Sequence, residues 1–310
     1  MERAVVERIF TEHGLGTVDS LVRIETGFTN HVSLVNEAFI FKVCVDTSNE
    51  QRFEAEAFLC SLFRDTLPVP RIIVFDRSKT LCEKSFMIYP KIEGETLYSK
   101  WHVLSDDQRR SIIKQLCDIL RIINQTPYDG FLQRFGTDRH NWHDTILKRI
   151  HDPLQVVEKR SILPAQSIKA ITTFVNEHHR VLEEEKRALV HSDIHFDNIL
   201  IHDTAIVGIL DLERTEVASI DFVLDVVKRM VSYPKKYMSK ASEQFADEED
   251  YARLLDWFEE YYPELFAFEN LNVRLALYAI GYDLGTLIDY PNSAEVKQMI
   301  ADTLRHHHTA

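Results

Sequence analysis

The sequence predicts an α+β protein in two parts, a strand-rich opening and a mainly helical remainder. Three observations lead there. Residues 21–45 hold three short β-type runs separated by turns, and Ser85–Tyr89 adds another. From about residue 93 onward the apolar residues recur at helical spacing instead. The chain's 310 residues are enough for two lobes, each with its own core.

Val5, Val6, Ile9 and Phe10 share one face of an opening helix that ends near Gly14. Leu21–Glu25 is the first strand and Thr26–Asn30 a turn. His31–Asn36 and Ala38–Val45 are the next two strands, with Asn36-Glu37 at the hairpin. Asn49–Phe63 reads as a helix with Phe53, Ala57, Cys60 and Phe63 along one face. The strand Ser85–Tyr89 runs into Pro90-Lys91-Ile92-Glu93-Gly94. Ser105-Asp106-Asp107-Gln108 is a capping box, and Ile112, Leu116, Ile119, Leu120 and Ile123 continue it as a buried helix face. Residues 126–142 have turn composition and are expected to loop. Helical patterns resume at 143–157 and 164–186, again at 221–230, and in an aromatic-rich helix over 271–290.

The chemistry gathers between Leu189 and Glu213, LVHSDIHFDNILIHDTAIVGILDLE. Short apolar runs there end on charged and amide side chains, the pattern of buried strands pointing polar groups into a site. His191, Asp193 and Asn198 fit H-x-D-x-x-x-x-N, the spacing of the protein-kinase catalytic loop, and Asp211 ends the following strand. Phosphoryl transfer needs a carboxylate to orient the attacking hydroxyl and accept its proton, a task that suits Asp193. It also needs a few hard oxygen ligands for Mg²⁺, which suits Asn198 and Asp211. Alternating His191, Asp193 and His195 could instead ligate zinc, but the downstream Asn and Asp-ended strand fit a kinase better.

HSDIHFDNIL followed by GILDLE closely resembles the H-G-D-x-H-x-x-N and I-D-[FW]-[GE] motifs of the aminoglycoside phosphotransferase and choline kinase-like family. His195 belongs to that family's version of the loop. The resemblance extends over nearly the whole chain and implies a two-lobed, protein-kinase-like α+β fold. It places a small antiparallel-sheet lobe at residues 1–92 and a mainly helical lobe at 93–310. It implies transfer of a nucleotide γ-phosphoryl group, from ATP or GTP with Mg²⁺, to a hydroxyl of a small molecule. Gly27 and Thr29 then lie at the phosphates. Lys42, in the otherwise apolar FIFKVCV, holds them with Glu56 as its helix partner, or Glu54 if the helix is rotated. A lysine on such a strand could also snorkel to solvent. Pro90 and Ile92 become the hinge contacts to the purine, and YPKIEG resembles the hinge of the 2″-phosphorylating branch, in which a bulky residue at the Tyr89 position guards the back of the pocket and goes with GTP; Tyr89 could equally pack into the lobe core and leave the adenine register intact. Asp221 resembles the aspartate that opens the next helix, although ten residues after Asp211 is closer than usual.

Residues 243–264 hold nine acidic residues and one basic, with an apolar face of Leu254, Leu255, Trp257, Phe258 and Tyr261. Such a run is commonly a solvated helix face. In antibiotic kinases the corresponding insertion supplies carboxylates to the substrate's ammonium groups, which would assign that task to Asp247, Glu248 and Glu249, joined by Asp283 and Asp289. The resemblance therefore favours a cationic, aminoglycoside-type acceptor and a resistance enzyme. Kinases of choline, homoserine or methylthioribose share the motifs. A dead nucleotide-binding scaffold is opposed by the presence of Lys42, Asp193, Asn198 and Asp211 together. The chain has no A-P-E motif, which argues against a protein substrate.

Composition agrees with these expectations. A formal net charge of −13 argues against a nucleic-acid partner and permits a cationic one. No apolar stretch is long enough for a membrane span, and MERAVVERIF is amphipathic rather than a signal peptide, so the expected location is cytoplasmic. Four scattered cysteines suit reduced thiols and not a disulfide frame or zinc site.

Overall fold

The computed structural model describes residues 2–24, 30–136, 141–237, 243–244 and 246–307. The chain folds into two compact units. The first is built from residues 1–120, 191–215 and 229–257, and the second from 121–190, 216–228 and 258–310.

The first unit opens with helix α1 (Arg3–Glu12) and a five-stranded sheet of order β1-β2-β3-β5-β4. Its strands are β1 (Leu21–Ile24), β2 (Asn30–Val35), β3 (Phe39–Cys44), β4 (Val74–Asp76) and β5 (Phe86–Pro90), and every neighbouring pair is antiparallel. The β2–β3 hairpin turns through Asn36 and Glu37, both at positive φ. Asn36 suits that conformation because its short amide bonds locally, accepting from the Asp19 and Ser20 backbone N–H groups.

Strand periodicity divides the residues of β3 and β5 between two faces. Phe41, Val43, Phe86 and Ile88 pack with Val6, Ile9 and Phe10 of α1. On the other face Ile40 lies opposite Tyr89 and Lys42 opposite Met87. Helix α2 (Glu50–Phe63) covers this second face, with Phe53 packed against Cys44, Met87 and Tyr89. The one charged side chain of β3 is thereby buried against a helix instead of reaching solvent.

After β5 the chain passes Gly94 into β6 (Glu95–Thr96), which pairs with β8 (Ile199–His202), itself paired with β9 (Ala205–Ile209). A Cβ at Gly94 would stand 2.9 Å from Val207 Cγ2 and 3.0 Å from the Ile201 carbonyl, so a larger residue would push the hairpin away. Helix α3 (Leu97–Trp101) and the long α4 (Asp106–Gln125) follow.

Residues 126–142, expected to loop, contain helix α5 (Asp129–Phe135). Phe131 is buried there and its ring meets Phe135 at 5.2 Å, one helical turn away. The short β4 was also not anticipated; three residues carry too little pattern. The second unit holds α6 (Trp142–Lys159), α7 (Ala165–His178) and the pair β7 (Arg187–His191) and β10 (Thr215–Ser219). Helix α8 (Val223–Ser232) comes next in the chain, followed by α9 (Leu254–Tyr261), α10 (Leu271–Asp289) and α11 (Ala294–His307).

Within the second unit Arg274 and Asp221 are both fully buried. Arg274 Nε and Nη2 donate to the Asp221 carboxylate at 2.7 and 3.0 Å, and the Tyr278 hydroxyl donates to it at 2.9 Å. Trp142 Nε1 donates in turn to Tyr278. Asp221 is thus a buried anchor of the α10 helix, lying in a 3₁₀ turn just before α8. Among the described residues no helix is long and apolar enough to cross a membrane. All four cysteines are buried free thiols.

Candidate active site

The site in the first unit is built on Lys42. Its ammonium meets both Glu56 oxygens, at 2.7 and 2.9 Å, and Asp211 Oδ1 at 2.7 Å, with Glu213 Oε2 at 4.0 Å. Helix α2 is rotated so that Glu56 faces the sheet, while Glu54 turns outward to pair with Arg77. Burial alone would lower the Lys42 pKa, but the surrounding carboxylates reverse this and hold it well above its ordinary value. Burial pushes Glu56 up to about 7, against the pull of Lys42. Asp211 is driven up by burial too, yet Lys42 outweighs that and holds it below the usual carboxylate range.

The catalytic-loop segment lies between β7 and β8. His191 is fully buried and bonds through Nε2 to the Leu210 carbonyl at 3.2 Å, tying the loop to the end of β9. Burial lowers its pKa, which favours the neutral imidazole. Asn198 donates Nδ2 to the Asp193 carbonyl at 2.8 Å, and its own carbonyl accepts from Leu210 N–H at 2.8 Å. With Nδ2 engaged inside the loop, the Asn198 amide oxygen is the atom left for a ligand. Asp211 adopts the left-handed conformation, φ 58° and ψ 48°. This is uncommon for a residue other than glycine, and here it turns the carboxylate to Lys42.

Asp193 is partly exposed. One carboxylate oxygen stands 3.7 Å from His195 Nε2 and the other 3.8 Å from Arg214 Nε. Ser192 Oγ donates to the Arg214 carbonyl at 2.6 Å, holding that turn against the loop. Glu213 and Arg214 were not among the expected site residues, although the D-L-E-R that begins at Asp211 displays them. Asn30, at the first position of β2, was also missed. It is buried and donates Nδ2 to Glu213 Oε2 at 2.6 Å.

Oxygens of Glu56, Asp211 and Glu213 all lie within 4.8 Å of one another. Three carboxylates around one ammonium leave a formal excess of two negative charges. These carboxylate oxygens are hard donors suited to a divalent cation such as Mg²⁺.

Tyr89 is 8 % exposed and shares the sheet face of Lys42. Pro90 is exposed at the end of β5, Ile92 is half-buried, and Lys91 N–H donates to the Ala38 carbonyl. Gly27 and Thr29 lie outside the described residues. Asp247, Glu248 and Glu249 are exposed in the first unit, at a 3₁₀ turn (Glu248–Tyr251). Asp283 belongs to the second unit and is only 2 % exposed, and Asp289 is exposed at the end of the same helix.

An antiparallel sheet carrying a lysine–glutamate pair, followed by a mainly helical remainder and an H-x-D-x-x-x-x-N loop, defines a kinase-like phosphotransferase fold. The model of the phosphotransferase enzyme family APH matches residues 20–255, and the chain belongs to that family. No curated protein matches the chain in sequence. Solved structures do. The chain is similar to the ADP-bound aminoglycoside phosphotransferase APH(2'')-Ib, with TM-score 0.71 and 17% identity over 98% of this chain and 97% of that one. It is similar to the streptomycin–ATP ternary complex of APH(2'')-IIa, with TM-score 0.70 and 17% identity over 98% of each. It also resembles the GDP complex of aminoglycoside 2'-phosphotransferase-IIIa, with TM-score 0.68 and 17% identity over 96% of each.

Proposed function

We propose that this chain transfers the γ-phosphoryl group of a nucleoside triphosphate to a hydroxyl of a small cationic molecule, best represented by an aminoglycoside-type antibiotic. The observation that carries the reading is the convergence of Lys42, Glu56 and Asp211 in one buried cluster, on the same unit as the loop that presents Asp193.

Each residue has a task in that reaction. Lys42, ordered by Glu56, holds the nucleotide phosphates. Asn198 and Asp211 hold Mg²⁺, which when bound neutralises charge on the phosphates. Asp193 orients the acceptor hydroxyl and accepts its proton as the new oxygen–phosphorus bond forms and the β–γ bridging bond breaks. The nucleoside diphosphate leaves with that bridging oxygen. Arg214, whose Nε stands 3.8 Å from Asp193, places a positive charge beside that carboxylate. Tyr89, on the Lys42 face of the sheet, narrows the purine pocket from behind, with Pro90 and Ile92 as the hinge contacts. The exposed carboxylates of Asp247, Glu248 and Glu249 attract the acceptor's ammonium groups.

Similar solved proteins hold ADP, GDP or ATP with streptomycin, which supports a nucleotide donor and an acceptor of this class. A nucleotide-consumption assay against aminoglycosides, choline, homoserine and methylthioribose tests the reading. Turnover with an aminoglycoside supports it. Turnover confined to one of the small metabolites overturns the acceptor, and no turnover with any of them overturns the reaction.

A further inference from the structure

Arg109 is a buried arginine that the proposed chemistry does not use. It sits on α4, is 7 % exposed, and reaches the acidic segment of the same unit. Its Nη2 donates to Asp250 Oδ1 at 2.6 Å and its Nε to the Trp101 carbonyl at 3.0 Å. Trp101 closes the ring by donating Nε1 to the Asp250 carbonyl at 2.8 Å. The guanidinium also lies over the Trp101 ring, 5.4 Å from its centroid. Asp106, the other carboxylate near Arg109, is a longer contact at 3.4 Å.

Trp101 is at the same time part of an aromatic cluster that reaches the catalytic loop. Its ring is 4.6 Å from Phe196 and 6.0 Å from Tyr251, and Tyr251 is 6.1 Å from Phe196. Phe196 stands between His195 and Asp197 in the loop. The Arg109–Asp250–Trp101 ring therefore fixes Tyr251, and with it the Glu248–Tyr251 turn that Asp247 caps, against the loop that carries Asp193. Asp247, Glu248 and Glu249 are the exposed residues of that turn, while Asp250 is spent on Arg109. A planar guanidinium can hold a carboxylate and a backbone carbonyl at once, which a lysine ammonium on a flexible stem does less well.

We infer that Arg109 is a positioning residue for acceptor binding: through Asp250 and Trp101 it holds the Asp247–Glu249 carboxylates in place beside the catalytic loop. The inference rests on the proposal that those carboxylates bind the acceptor's ammonium groups.

The test is calorimetric titration of the full chain with gentamicin as a polycationic probe, and separately with ADP. Arg109→Met and Asp250→Asn should each weaken gentamicin binding by about 2- to 30-fold, the range for residues that act on a site without touching it. ADP affinity should stay unchanged, and Arg109→Lys should restore part of the loss. Equal loss of both ligands in both variants, or unchanged gentamicin affinity in a variant with native circular dichroism, overturns the inference. If Arg109→Met does not fold, the milder Asp250→Asn carries the test. A combined Asp247→Asn, Glu248→Gln, Glu249→Gln variant separates the two levels. If it binds gentamicin as well as the unaltered chain, or if the unaltered chain does not bind it, the acceptor reading itself fails and this inference with it. If it weakens binding while Arg109→Met and Asp250→Asn do not, only the positioning role fails.

Discussion

The Lys42 ammonium is shared between Glu56 and Asp211, at 2.7 Å from an oxygen of each. One of these carboxylates is fully buried on a helix and the other, mostly buried, lies just beyond strand β9. The division suits two tasks, because Glu56 can remain with Lys42 while Asp211 is free to turn to a cation. Asp211→Asn should therefore abolish the Mg²⁺-dependence of nucleotide binding. Titration of ADP with and without Mg²⁺ reads this directly, and a variant whose ADP affinity still responds to the metal would remove Asp211 from the metal site.

Asp193 lies in the same unit but outside that buried cluster, on a partly exposed loop. Asp193→Ala should lower kcat by about 10²–10⁴-fold, the usual range for a general base. Nucleotide affinity should survive. A near-normal kcat on the true acceptor would show that another group takes the proton.

Glu56 gives the site a pH dependence. Burial raises its pKa to about 7, so below that pH it is increasingly neutral and Lys42 loses a counter-charge. The kcat/KM for nucleotide should fall as pH decreases through about 7. Stability has the opposite sign. A carboxyl whose folded pKa lies above its unfolded value contributes stability at low pH, lost as pH rises through the folded pKa. Glu56→Gln should remove both dependences, and a profile for that variant that parallels the unaltered chain would assign the titration elsewhere.

Tyr89 predicts the nucleotide. If its ring blocks the back of the purine pocket, GTP should support turnover at least as well as ATP, and Tyr89→Ala should shift preference toward ATP. Pocket-shape discrimination is typically worth about 1–3 kcal/mol, so ATP need not be excluded. Comparing kcat/KM for both nucleotides settles the role, and a strong ATP preference unmoved by the substitution would place Tyr89 outside the site.

The Arg274–Asp221 pair makes a prediction about stability. Breaking a buried ion pair by removing one partner leaves an uncompensated charge and costs about 3–5 kcal/mol. Arg274→Met should lower the denaturant midpoint accordingly, and Asp221→Asn added to it should recover part of the loss. Additive losses in the double variant would mean that the two side chains act independently.

Much of the site could be read from the chain because it is local. Asp193 and Asn198 sit five residues apart in one loop, and Asp211 lies just beyond β9, so their spacing marks them as candidates. The sheet was legible for a similar reason: β3 and β5 are short, nearly continuous apolar runs, the pattern of strands covered on both faces. Helix α5 was not, because its Gly and Asp residues spell a turn until Phe131 is buried by the surrounding structure. Other relations depend on distance in space and have no signature in spacing. The rotation of α2 that selects Glu56 over Glu54 is set by packing of Phe53 on the sheet. Asn30 meets Glu213 across 183 residues, and Arg109 meets Asp250 across 141. The sequence by itself determined which chemistry the chain carries, since that chemistry is written in short motifs. The tertiary structure decided which charges face one another, since a buried charge takes whatever partner packing brings within reach.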